Sequence, residues 1–89
     1  MFNKFYVLSN SDFTYLVNET LANFGYETIT KDNYKEVTAS IWDYFIEDNK
    51  DDVVGFMVVN SYGNWEEISN QDSLESLIYR EYRKIIEEV

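Results

Sequence analysis

The stretch Val53-Val-Gly-Phe-Met-Val-Val59, followed by Asn60-Ser-Tyr-Gly-Asn64 and then Trp65-Glu-Glu-Ile68, decides the fold. Its first part is an apolar, valine-rich run too short for a helix, which predicts a buried or central strand. The loop chemistry of Asn60–Asn64 then predicts that Trp65–Ile68 pairs back as the second arm of a hairpin. Gly55, inside the first arm, points to a bulge or to close packing by a neighbouring aromatic.

Helical periodicity flanks this hairpin on both sides. Downstream, a helix is predicted to start between Ser69 and Ser73, with Leu74, Leu77, Ile78, Tyr82, Ile85, Ile86 and Val89 at helical spacing. Upstream, Tyr34, Val37, Ile41, Tyr44 and Phe45 form the buried stripe of a helix capped by Asp32 and running to about Asn49; Ala39, Trp42 and Ile46 widen that stripe. Earlier still, Phe13, Leu16, Val17, Leu21 and Phe24 mark one face of a helix, with Ser11 as its cap and Gly25 where a left-handed C-terminal residue is expected. Lys4–Leu8 is short and rich in aromatic and β-branched residues, which suggests a strand. The expectation is one α+β domain spanning 1–89, in the order β-α-α-β-β-α. Three helices lie on one side of a small, mostly antiparallel sheet made of the hairpin and an N-terminal strand, the alternative being that the N-terminus simply leads into the first helix.

Composition narrows the function. The 89 residues hold 17 Asp/Glu, 7 Lys/Arg and no His or Cys, a formal net charge of −10. Such a chain is repelled by nucleic-acid phosphates and by anionic membrane surfaces. Without His or Cys, imidazole bases, thiolate nucleophiles, ordinary zinc sites and disulfides are excluded. The N-terminus lacks the apolar length and cleavage site of a signal peptide, and no window approaches a spanning helix. A soluble intracellular protein is expected.

The charge is unevenly placed. Residues 36–75 hold ten acids against Lys50 alone, a net of −9, whereas residues 1–35 sum to −1 and residues 76–89 are neutral. At α-helical spacing Glu36, Asp43 and Glu47 stack along a line roughly 16 Å long. Asp48, Asp51 and Asp52 carry the negative field past the helix C-terminus, where the macrodipole already disfavours carboxylates. Acids placed against local stability point to an interaction, with solubility as the competing reason. Tyr62 at the hairpin tip and Trp65, beside Glu66 and Glu67, are the candidate aromatic anchors. The bases Arg80, Arg83 and Lys84 are explained by i, i+3 and i, i+4 pairs, Glu81 with Lys84 and Arg83 with Glu87, on a solvated face.

Enzymatic chemistry is not expected. No His can serve a Ser or Thr nucleophile, and the three glycines stand in unrelated settings rather than in a phosphate loop. The cluster Asp48-Asn-Lys-Asp51-Asp52 lacks the glycine and glutamate of a calcium loop. No cofactor or metal is implied.

In size, charge, scarcity of glycine and absence of proline, the chain resembles small acidic phage-encoded anti-defence proteins. These include inhibitors of CRISPR effector nucleases, restriction enzymes and uracil-DNA glycosylase that imitate nucleic acid. The resemblance implies a viral inhibitor and DNA mimic acting in the cytoplasm of a bacterial host. Its partner would be a basic nucleic-acid-binding protein, a nuclease or defence complex, contacted through Glu36, Asp43, Glu47, Asp48, Asp51, Asp52, Tyr62, Trp65, Glu66 and Glu67. Direct contact with nucleic acid or membrane is not expected, and the protein would act as a monomer or homodimer. The same physics fits an immunity protein that neutralises a nuclease toxin. A third reading, motivated by the 16 aromatics and the wide apolar arc of the second helix, is an adaptor that homodimerises through an apolar surface.

Overall fold

A computed structural model describes residues 4–48 and 52–87. The order is β1 (Lys4–Leu8), α1 (Asn10–Phe24), α2 (Tyr34–Trp42) continued by a π-helical turn (Asp43–Glu47), β2 (Val53–Val59), β3 (Trp65–Ile68), α3 (Gln71–Glu81) and α4 (Arg83–Glu87). This is the expected α+β arrangement, with the last helix broken into two at Tyr82, whose backbone (φ −116°, ψ 19°) leaves helical geometry.

The sheet has the strand order β1-β2-β3 and is mixed. β2 and β3 form the expected antiparallel hairpin, Phe56 opposite Ile68 and Val59 opposite Trp65. β1, however, runs parallel to β2, with Tyr6 opposite Phe56 and Leu8 opposite Val58. The mostly antiparallel expectation is corrected here. A connection carrying two helices takes the chain from the Leu8 end of β1 back to the opposite end, where Val53 starts β2 beside Lys4, as parallel pairing requires. The register slips between Lys4 (opposite Val53) and Phe5 (opposite Gly55), leaving Val54 unpaired. Gly55 therefore sits at an irregularity, as expected, but its close neighbour is backbone and not an aromatic. A Cβ there would overlap the carbonyl oxygen of Ile68.

The helices cover one face of the sheet. Phe13, Val17 and Leu21 of α1, Val37, Ile41 and Trp42 of α2, and Leu74, Leu77 and Ile78 of α3 close over Phe56, Val58 and Ile68. Phe56 lies at the centre of an aromatic group, with ring centroids 5.8 Å from Tyr6, 6.1 Å from Phe45 and 6.3 Å from Trp42.

Local signals place the helix ends, with two corrections. The cap of α1 is Ser9 and not Ser11. Ser9 Oγ accepts from the Asp12 backbone N–H at 3.1 Å and Asp12 Oδ2 accepts from the Ser9 N–H at 3.4 Å, a reciprocal capping box. Gly25 closes α1 in the left-handed conformation expected of it, φ 82°. At the start of α2, Asp32 does not cap. Thr30 Oγ1 accepts from the backbone N–H groups of Asp32 and Asn33, and Asn33 Oδ1 accepts from that of Thr30.

The π-helical turn is the main departure from the periodicity of the sequence. It closes with the Asp48 N–H on the Asp43 carbonyl at 2.8 Å, one residue more than an α-turn. The extra residue rotates the side chains of the turn away from their α-helical positions. Phe45 and Ile46 pack on the core while Tyr44, expected in the buried stripe, is 70% exposed.

Candidate functional site

The π-turn rearranges the predicted line of carboxylates. Glu36 and Asp43 are both exposed on the helical unit. The step from Asp43 to Glu47 falls inside the turn, so the α-helical stacking of those two does not hold. With i, i+5 spacing, Asp43 is followed by Asp48, and Glu47 turns back beneath Trp42, whose indole Nε1 donates to its Oε1 at 3.3 Å. Glu36 accepts from the Tyr26 hydroxyl at 3.1 Å, an interaction that pushes the Tyr26 phenol above its ordinary pKa. Asp52 is exposed and takes a left-handed backbone, φ 60°, at the entry to β2, a conformation that Asp tolerates better than most residues. Asp51 lies outside the described residues.

Among the described residues, both ion pairs, Arg80–Glu66 and Arg83–Glu87, lie away from this region. Among the described residues no ion pair neutralises Glu36, Asp43, Glu47, Asp48 or Asp52; Lys50 lies outside them. No three acidic residues come together in the described part of the chain in a way that would hold a metal ion.

The hairpin contributes differently from what its sequence suggests. β3 alternates, so Ile68 and Glu66 face the helical layer while Trp65 and Glu67 face away. Trp65 is 57% exposed on the uncovered face of the sheet, and Tyr62 at the tip is 86% exposed. The tip is held by one buried side chain. Asn60 Oδ1 accepts from the backbone N–H groups of Tyr62 (2.9 Å) and Asn64 (3.0 Å), and its Nδ2 donates to Glu66 at 2.9 Å. Tyr62 is thus presented on an ordered loop.

Glu66, one of the predicted contact residues, is engaged within the fold. Arg80 of α3 donates to both of its carboxylate oxygens, at 2.6 and 3.0 Å, so the hairpin is clamped to the helix. Arg80 is accordingly more than a solvated surface base. Arg83 does pair with Glu87, but Glu81 accepts from Asn10 and Ser61 instead of Lys84.

The Arg80 guanidinium holds the Glu66 carboxyl below its ordinary value, partial burial opposes this, and Asn60 adds to the lowering. A depressed folded-state pKa gives stability that is present above the unfolded value and lost as pH falls through the folded one. Glu66→Gln should therefore be less stable than the parent at neutral pH. The gap should be about 1 kcal/mol, because Arg80 is half exposed to solvent, and should close as pH falls below the ordinary glutamate range near 4.3. Urea midpoints of the two proteins between pH 7 and 3 check this; a gap independent of pH refutes it.

Asn60 and Arg80 are the residues that sequence reasoning missed. Asn60 carries a local signal, an Asn that opens a turn by accepting from backbone two residues on. Arg80 carries none, because its partner is far along the chain. No helix of the described residues is long and apolar enough to cross a membrane. Compared with known proteins, the chain matches no family, and no curated protein or solved structure is significantly similar to it.

Proposed function

We propose that the protein is a stoichiometric acidic inhibitor. It would occupy the nucleic-acid groove of a basic protein, a CRISPR effector nuclease or related defence enzyme, by imitating the charge of the phosphate backbone. The observation that carries this reading is the set of exposed carboxylates Glu36, Asp43 and Asp48 along the second helical unit, with Asp52 at the entry to β2. These carboxylates are exposed, and none of them is in an ion pair with another of the described residues. Several stand at the negative end of a helical unit, where they lower the stability of the chain that bears them. A groove lined with Arg and Lys would offset that cost with charge-assisted hydrogen bonds and would speed encounter at low salt. Tyr62 and Trp65 stand apart from these carboxylates, since Trp65 pairs with Val59 at the end of β2 away from Asp52 and faces away from the helices; they would add apolar contact only to a partner that also reaches the hairpin tip.

The test is capture from the native host with washes at low and at ~0.5 M salt, followed by competition with DNA or RNA. A nuclease released by added nucleic acid supports the reading. Against that partner, Asp43→Lys with Asp48→Lys should weaken binding about tenfold or more, the cost of turning favourable charge pairs into repulsive ones. The control, Glu87→Lys with Glu88→Lys, makes the same change in net charge outside residues 36–75, which hold the acidic excess, and should leave affinity near the parent's. Equal losses from both pairs would reduce these carboxylates to a matter of net charge.

A second reading, an adaptor that pairs with itself, is favoured by the uncovered face of the sheet, where Val7 is 65% exposed and Trp65 57%. Sedimentation of the purified protein distinguishes it: a dimer dissolved by Trp65→Lys supports the adaptor.

A further inference from the structure

The helical layer does not fully roof the sheet. Between β1, α1 and the π-turn lies an open apolar groove of about 320 Å3, walled by Tyr6, Leu8, Leu16, Phe45 and Phe56, with Tyr15 and Asp12 among its lining. Past Leu16 and Phe45 it leads to a second depression of about 210 Å3 between α1 and α2, where Glu19 and Tyr44 stand. β1 is an edge strand, and no strand among the described residues pairs with its outer side. It carries no proline, and its register slip is confined to its first residue. Phe5–Leu8 therefore presents a regular edge of backbone donors and acceptors.

An open strand edge beside an apolar groove combines the two requirements of strand addition. The backbone supplies hydrogen bonds and the groove receives alternate side chains. The geometry points to the β1 edge and this groove as a docking site for an extended segment of a partner protein, apolar at alternate positions and carrying lysine or arginine. The aromatic and leucine lining sets the apolar requirement. The basic requirement follows from Asp12 and Glu19, the charged groups lining the two depressions, which contain no Lys or Arg. A second copy of the chain is a poorer occupant, because it would bring the same carboxylates face to face on proteins that each carry −10. The site does not include the Asp43–Asp48 strip and stands independently of the inhibitor reading.

The test is selection of a displayed random heptapeptide library on the whole protein, with the winning peptide then synthesised. The expected peptides alternate apolar residues and carry Lys or Arg. Bound to 15N-labelled protein, they should shift the amides of Phe5–Leu8, Leu16 and Phe45. N-methylating alternate peptide amides should cost about tenfold in affinity in one register and little in the other, because only one set of amides faces β1. Glu19→Lys, at an exposed helix position, should weaken binding about fivefold, more than Asp72→Lys, the same change in charge at an exposed position outside the two depressions. Failure to enrich any peptide, shifts confined to the Asp43–Asp48 strip or the Trp65 face, or equal tolerance of both N-methylated registers would overturn the proposal. So would sedimentation showing a dimer whose amide shifts on dilution map to β1, since a second copy would then be the occupant.

Discussion

Phe56→Ala is expected to lose about 3–5 kcal/mol, the range for truncating a fully buried phenylalanine. A domain of this length has about 4–13 kcal/mol of stability in all, so the variant should stand at the threshold of folding. The cost is large because Phe56 is 1% exposed and touches three other aromatic rings, those of Tyr6, Trp42 and Phe45. None of these rings belongs to a flexible loop that could collapse into the cavity. The effect also reaches the candidate binding strip. Phe45 belongs to the π-turn that separates Asp43 from Asp48, so loosening its packing loosens the carboxylates. Urea denaturation followed by far-UV circular dichroism measures the loss. Phe24→Ala, at a ring 41% exposed near the end of α1, should cost under about 1 kcal/mol by the same assay. Similar losses at the two positions would mean that Phe56 is not the centre of the core.

Gly55→Ala should be nearly as damaging although it adds a single methyl. The new carbon would overlap the Ile68 carbonyl oxygen, with the Ile68 carbonyl carbon 3.1 Å away and the Ser69 Cα 3.2 Å away. All three atoms are backbone, so no rotamer change relieves the clash and β2 must move from β3. We expect a loss of about 3 kcal/mol and a fall in Tm of more than about 10 °C for a domain this small. Gly63→Ala provides the contrast. Its φ of +84° is strained for alanine, but nothing lies within 4 Å of the added carbon, so the cost should stay near 1 kcal/mol. A Gly63 variant less stable than the Gly55 variant would contradict the close approach.

The two outcomes bear on what could be read from the residues alone. The hairpin was legible because an apolar run, a loop of turn formers and a shorter arm follow one another within the pairing distance of local strands. The first and last helices were legible from their apolar spacing, and Gly25 marked the end of the first. The cap of α1 was also present in the sequence. Ser9-Asn-Ser-Asp12 has the spacing of a capping box, which points to Ser9 ahead of the nearer Ser11. The π-turn was not legible. A 3.6-residue period carried past Trp42 buries Tyr44 and aligns Glu47 with Asp43, and only the packing of Phe45 and Ile46 against the sheet reveals the added residue. The direction of β1 was equally hidden, since strand direction follows from where the connecting helices deliver the chain. At the candidate site, period-two alternation from buried Ile68 places Trp65 on the far face. The engagement of Glu66 by Arg80 depends on how α3 lies against the hairpin, which no local pattern encodes.

The parallel pairing of β1 with β2 has a consequence in time. Lys4 meets Val53 and Leu8 meets Val58, so β1, made before the other two strands, has no partner until about fifty further residues have followed it. The helices between them and the later hairpin are built from near neighbours and can form early. The first strand cannot, because closing so long a loop is the slow part of assembling non-local contacts. During that interval its apolar residues, Phe5, Tyr6, Val7 and Leu8, are exposed to other nascent chains as well as to their own. Of the three strands, the one made earliest is thus the one expected to be placed last.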